Sequence, residues 1–391
     1  MDVDKLKSML MEQSGTKIKV VGVGGGGGNA INRMIRSGIK GVTYIAMNTD
    51  LVALQHSSAD MTLTLGKQLT RGLGAGGKPE VGRDAAIESK EEIKSLLEGT
   101  DMLFLTTGMG GGTGTGATPV IAEIAREMNI LTVGIVTIPF NFEGKKKIEQ
   151  AYHGVENLKK YIDALIQVPN QALITLDDGN EREDISMADA LLLADNVLLQ
   201  GISGITRLIT EPGEINIDFA DVKSVMQGAG EALMGIGEAK GENRALVAVK
   251  RAINNPILDN SRLNGAKNVL ISISSNGDLT LKEFKDIGEY VEDFCDKDAL
   301  IKTGQSENKS LDGSLRITVV ATGFSPHASA LDTQMATLRL KTGASFSSTK
   351  EVDEGDKIRI VRHWQDLCPA CMGGFDKNDY SIPTILRQRV K

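Results

Sequence analysis

Short apolar runs alternate with stretches of helical period through the first half of the chain. Strand-like runs fall at 17–23, 42–48, 101–107, 131–137 and 171–175, and helical patterns at 28–37, 83–97, 117–129 and 145–163 separate them. This alternation predicts an α/β fold: a Rossmann-like parallel sheet covered by helices on both faces, with its ligand outside the carboxyl ends of the strands. A long helix is predicted over 187–211, opened by a capping box of Ser186 and Asp189 and stopped by Pro212-Gly213. Leu191, Leu192, Leu193, Val197, Leu198, Ile202, Ile205, Leu208 and Ile209 leave it few polar faces. A helix so apolar is buried on most sides, as a spine between two domains would be. Beyond it, helices near 221–234 and 243–254, a strand at 267–275, a helix at 280–294 and strands at 299–304 and 314–322 predict a smaller α/β domain with a mixed sheet. Periodicity is lost over 325–378, which reads as a linker, and 379–391 forms a separate short motif.

Glycine marks the chemistry. The run Gly108-Met-Gly-Gly-Gly-Thr-Gly-Thr-Gly116 follows the strand at 101–107, and Gly22-Val-Gly-Gly-Gly-Gly-Gly-Asn29 follows the strand at 17–23. A backbone without side chains wraps closely around a ligand, and its N–H groups and hydroxyls suit phosphate. Two such loops on one parallel sheet point to a nucleotide. The Gly-Lys-Ser/Thr of a Walker-type loop is absent. A dinucleotide site would want an acidic residue after the second strand, where Asp50 stands, but it has no need of the second loop.

Composition narrows the field. The 391 residues suffice for two domains, and 41% apolar with 24% charged residues is ordinary for a globular chain. A net charge of −7 without a basic block argues against a nucleic-acid partner. No uninterrupted apolar run is long enough to span a bilayer and residues 1–15 carry no apolar leader, so neither membrane insertion nor export is expected. Three cysteines make no disulfide framework, and the cytoplasm is the expected location.

Gly110-Gly-Gly-Thr-Gly-Thr-Gly116 is the tubulin-type signature. With the first glycine loop, Asn216-Ile-Asp-Phe-Ala-Asp-Val-Lys223 and the segment 379–389, it makes the chain resemble the bacterial cell-division GTPases of the tubulin/FtsZ family. The resemblance implies an N-terminal extension (1–16), a GTP-binding domain (17–186), a central helix (187–211), an activation domain with the catalytic loop (212–324), a linker (325–378) and a partner-binding peptide (379–391). It implies GTP/GDP and Mg²⁺ as cofactors, and head-to-tail polymerisation into a ring at the mid-cell division site. Gly25, Gly26, Gly27, Gly28 and Asn29, with Gly112, Thr113 and Gly114, would contact the phosphates, and Ala75-Gly-Gly77 would sense the terminal one. Glu143 and Lys147 would lie near the ribose, Lys147 standing where the family has arginine. Asn170 and Asp195 would contact the base. A carboxylate accepts from both N1–H and the exocyclic amine of guanine, so Asp195 would select GTP over ATP. Leu191 replaces the usual stacking aromatic, which predicts weaker nucleotide binding.

The catalytic residues implied by the resemblance are Asp218 and Asp221, which would polarise and position the attacking water, and Asn216, which would help orient it. Glu211 lies sixteen positions after Asp195, about 24 Å of helix. Carboxylates that far from the base reach no γ-phosphate on the same chain. They would serve a neighbour stacked head to tail, and such a heterologous contact builds a filament when it does not close. The position of Asp221 also suits capping the next helix. In the last motif Ile382, Ile385 and Leu386 form one apolar stripe, Pro383 opens the turn, and Arg387, Arg389 and Lys391 make the end basic. Such a stripe docks in a partner's groove, and the resemblance implies membrane tethers and division regulators as those partners. Cys368-Pro-Ala-Cys371 with His363 is one ligand short of a closed zinc site and reads as reduced thiols. A GTP-binding scaffold that hydrolyses weakly is the alternative, suggested by Lys147 and Leu191 and opposed by the intact Asp218 and Asp221.

Overall fold

The computed structural model describes residues 15–174, 185–211, 213–255, 258 and 265–324. Most of the N-terminal extension, the linker, the C-terminal peptide and the Cys368/Cys371 pair lie outside the described residues.

The strands are β1 (Ile18–Val23), β2 (Val42–Asn48), β3 (Met61–Thr64), β4 (Met102–Gly108), β5 (Leu131–Ile138), β6 (Ala164–Pro169), β7 (Gly230–Lys240), β8 (Asn268–Ser275), β9 (Leu300–Glu307) and β10 (Ser314–Thr322). They join in the order β3-β2-β1-β4-β5-β6-β7-β10-β8-β9. The first six are parallel, and β7 joins β6 over a short parallel stretch from Ala164↔Gly230 to Ile166↔Ala232. Beyond it β10 runs antiparallel to β7 and β8, and β8 parallel to β9, which makes the second half mixed. Strands such as β4 and β5 are buried almost throughout and carry mostly apolar residues and threonine, because helices cover both faces.

The strand order reverses between β1 and β4. Ligands of doubly wound sheets bind at that switch point, and both glycine loops leave the sheet there. The central helix (Met187–Thr210) is long and apolar enough to cross a membrane by composition alone, yet its hydrophobicity is spent on a core. Leu198, Ile202, Ile205 and Leu208 are buried in one cluster with Val20, Phe104 and Ile135 of the parallel strands and Met234, Leu270 and Val320 of the mixed ones. Gly201 and Gly204 permit that approach: a Cβ would fall 2.7 Å from Met234 Sδ and 3.0 Å from Thr318 Oγ1 respectively.

Several elements differ from the sequence expectation: β3 is not among the expected strands, and the helix expected over 83–97 is two, Pro79–Glu88 and Lys90–Leu97. The strand expected at 171–175 is a helical turn (Asn170–Ile174), and the strand is β6, one segment earlier. The helix expected over 221–234 ends at Met226. Gly228 and Gly230 adopt left-handed φ of 62° and 70°, and β7 follows. Its glycines weaken the strand signal but are required by packing. A Cβ at Gly235 or Gly237 would lie 2.0 Å from a carbonyl oxygen of the helix Arg244–Ile253. The first helix spans Gly24–Arg36 instead of starting near residue 28, so its glycines lie inside the helix.

The helix Pro79–Glu88 lies directly on the helix Gly112–Glu127. At Gly116 a Cβ would stand 1.9 Å from Pro79 O and 2.7 Å from Arg83 N, both backbone atoms. Gly116→Ala is therefore expected to cost about 1–3 kcal/mol of stability. Thermal denaturation should show it as a melting point lowered by several degrees.

Candidate nucleotide site

A cavity of about 310 Å³ opens at the switch point. Two helices begin in its wall. The first follows Val23 and the second follows Gly111, neither has a side-chain cap, and neither carries an acidic residue in its first turn. Unpaired first-turn N–H groups and aligned peptide dipoles favour an anion at both ends. Two glycines in the wall have no packing reason to be glycine. A Cβ at Gly25 or Gly111 would meet nothing within 4 Å, so a side chain there would only project into open space. Gly114 is different, because its Cβ would collide with Thr107 Oγ1 at 2.2 Å.

Of the residues expected at the nucleotide, Gly25, Gly26, Asn29, Gly112, Thr113, Gly114, Glu143, Lys147, Asn170 and Asp195 line this one cavity, with Leu191 among them. Gly27 is not in its wall. It is buried, with its Cβ position 2.5 Å from Thr106 O, so its lack of a side chain serves packing on β4. Gly28 lines a smaller adjoining cavity of about 140 Å³ instead. Ala75 and the backbone of Gly77 and Lys78 abut Gly112, where a Cβ would fall 2.9 Å from Ala75 Cβ and 2.8 Å from Lys78 N. Thr49 and Thr113 share a hydroxyl hydrogen bond of 2.6 Å, which ties the turn after β2 to the second glycine loop.

The polar groups of the wall are held in place. Lys147 Nζ donates to Glu143 Oε2, and Glu143 Oε1 accepts from Phe140 N at 2.9 Å. Asn170 is buried, and its Oδ1 has no hydrogen-bond partner among the described residues. An orphaned buried acceptor in a cavity wall wants a donor from a ligand. Asp195 Oδ2 accepts from Arg33 Nε at 2.8 Å. Burial pushes the Asp195 carboxyl above the usual range, and the Arg33 guanidinium opposes that rise. The sequence reading missed Arg33. It sits four residues after Asn29 on the same helical face, a spacing that could have flagged it. Asp50 is not in the cavity wall: its Oδ1 caps the next helical turn through Val52 N and Ala53 N.

Asn216, Asp218 and Asp221 are not in this cavity. They follow the far end of the central helix: Asn216 and Asp218 on the loop into the helix Phe219–Met226, and Asp221 in the first turn of that helix. Asn216 Oδ1 accepts from Gly213 N at 2.7 Å. The cap of that helix is Asp218, not Asp221: Asp218 Oδ1 accepts from Asp221 N at 2.8 Å. Asp221 Oδ1 instead pairs with Lys302 Nζ at 2.9 Å, which holds its carboxyl below the usual range.

A parallel sheet whose switch point carries two uncapped helix starts, facing a cavity with a buried carboxylate and a buried amide, defines a nucleotide-binding protein. Residues 17–178 match the profile of the Tubulin/FtsZ family, GTPase domain, and residues 230–325 that of the FtsZ family, C-terminal domain. A solved FtsZ dimer of M. jannaschii, described as empty, is 42% identical over 83% of this chain and 92% of its own, with a TM-score of 0.76. A tryptophan-to-tyrosine mutant of that organism's FtsZ is 43% identical over 82% and 95%, also at 0.76. CetZ2 from Haloferax volcanii, solved as a GTPγS-bound protofilament, shares the fold at 20% identity over 84% and 100%, with a TM-score of 0.69. The chain belongs to the FtsZ family of tubulin/FtsZ GTPases.

Proposed function

We propose that this GTPase polymerises head to tail into filaments of the cell-division ring, and that each GTP is hydrolysed at the junction of two subunits. One observation carries this reading. The cavity and the acidic loop sit at opposite ends of a 24-residue helix, about 36 Å long. Glycine-loop N–H groups and Thr113 would hold the phosphates, Glu143 with Lys147 the ribose, and Asn170 with Asp195 the guanine. Asp218 and Asp221 of the next subunit would position and polarise water, with Asn216 orienting the loop through its bond to Gly213. Among the described residues no cluster of three or more His, Cys, Asp or Glu could hold a metal. The acids in the cavity wall are already paired with Lys147 and Arg33. Mg²⁺ would accordingly be held by phosphate oxygens and water, as it often is, and would supply charge neutralisation there. The M. jannaschii FtsZ dimer supports self-association within the family. Tethers and regulators bound through 379–391, and a cytoplasmic place at mid-cell, belong to the same proposal.

The test is phosphate release measured against protein concentration, with sedimentation in GTP and in GDP. Turnover per subunit should rise above a critical concentration, and GTP should sediment the protein. A rate per subunit that stays flat at all concentrations would refute the shared site.

A further inference from the structure

The acidic loop does not stand alone; it is fastened along β9. Gln305 N donates to Ile215 O at 2.9 Å. Gly213 lies so close to the same residue that a Cβ would fall 2.0 Å from Gln305 O. Gly304 leaves room for Ile217 of the loop and Leu208 at the end of the central helix, whose side chains would stand 2.8–2.9 Å from a Cβ there. Two residues earlier, on the same face of the strand, Lys302 reaches Asp221 Oδ1 at 2.9 Å. Asp221 N is in turn bound by Asp218 Oδ1 at 2.8 Å. The carboxylate is thus held from two sides, through its backbone by the helix cap and through its side chain by β9.

A lysine on an edge strand ordinarily guards against strand-to-strand aggregation, and β9 is at the end of the sheet order. A guarding lysine points its charge into water. This one is about two-thirds buried, as is its partner, with each side chain 34% exposed. One oxygen of Asp221 is committed to the ammonium, and Asp218 beside it also favours the charged carboxylate.

We propose that Lys302 is a positioning residue for hydrolysis, aiming the Asp221 carboxylate that this loop presents to the nucleotide of the neighbouring subunit. The proposal rests on the shared-site reading above. Lys302 touches no substrate; it works by fixing one rotamer of Asp221, and a reacting group misplaced by about 1 Å can cost 10²-fold.

The experiment uses the full chain and compares Lys302→Met, Lys302→Arg, Asp221→Asn and the double variant Lys302→Met/Asp221→Asn, with Asp218→Ala as reference. Lys302→Met should lower kcat roughly 10- to 100-fold with GTP affinity and melting temperature unchanged, and Lys302→Arg should recover most of the loss. In the Asp221→Asn background Lys302→Met should add no further loss, since the lysine acts through that carboxylate. Full turnover in Lys302→Met, beside an inactive Asp218→Ala, overturns the proposal and leaves the shared site standing. So does a further loss in the double variant, or a loss of GTP binding. An active Asp218→Ala would bring down the shared-site reading itself, and Lys302 with it.

Discussion

Asp218→Ala should reduce GTP turnover by about 10²–10⁴-fold, the usual weight of a group that manages a reacting proton or water, while GTP stays bound. Binding survives because Asp218 is absent from the cavity wall and lies beyond the opposite end of the central helix. The residue also has a structural duty, since its Oδ1 caps the helix Phe219–Met226 through Asp221 N. Losing that cap costs about 1 kcal/mol and would loosen Asp221 as well. Asp218→Asn separates the two duties: asparagine caps as well as aspartate but carries no charge. If the carboxylate itself is needed, Asp218→Asn should keep the melting temperature of the parent and still lose turnover. Phosphate release and GTP binding, measured on both variants above the critical concentration, decide it. Turnover near the parent's in Asp218→Asn would assign the residue to capping alone.

The nucleotide half of the molecule could be read from sequence because its signals are local. A strand that empties into glycines, twice on one sheet, fixes where the loops lie before any tertiary contact is known, and the cavity indeed opens between them. Elements failed where a tertiary contact overrode the local pattern. In β7 the glycines at 235 and 237 look like strand breakers, yet each is where the helix Arg244–Ile253 comes within 2.0 Å of a hypothetical Cβ. The apolar residues Leu233, Met234 and Ile236 fit a helical spacing as readily as a strand. Gly27 could not be told from its neighbours for a similar reason: in one glycine run, some positions line the cavity and others meet a packed backbone. The pairings of Arg33 with Asp195 and of Lys302 with Asp221 join residues far apart in the chain, 162 positions in the first case. No single-sequence pattern encodes such a meeting.

Asp195→Ala should weaken GTP by about 10- to 100-fold, the worth of hydrogen bonds to a charged acceptor at about 1.5–3 kcal/mol. ATP binding should change little, so the preference between the two nucleotides collapses. The acceptor works only as a carboxylate, and its environment makes it sensitive to acid. Burial raises its carboxyl above the ordinary range, although Arg33 at 2.8 Å pulls the other way. A raised value means the proton returns at a higher pH than the ~3.9 of a free aspartate. GTP affinity should therefore hold at neutral pH and fall as pH drops through that raised value, before ordinary carboxylates titrate. Asp195→Asn should weaken GTP by a similar factor and remove this acid limb from the affinity that is left. Arg33→Gln removes the cation that opposes the rise, so its acid limb should move to higher pH while affinity at alkaline pH survives. Calorimetric titration of GTP and ATP across pH checks all three variants. A limb that stays put in Arg33→Gln would show that Arg33 does not hold the charge on Asp195.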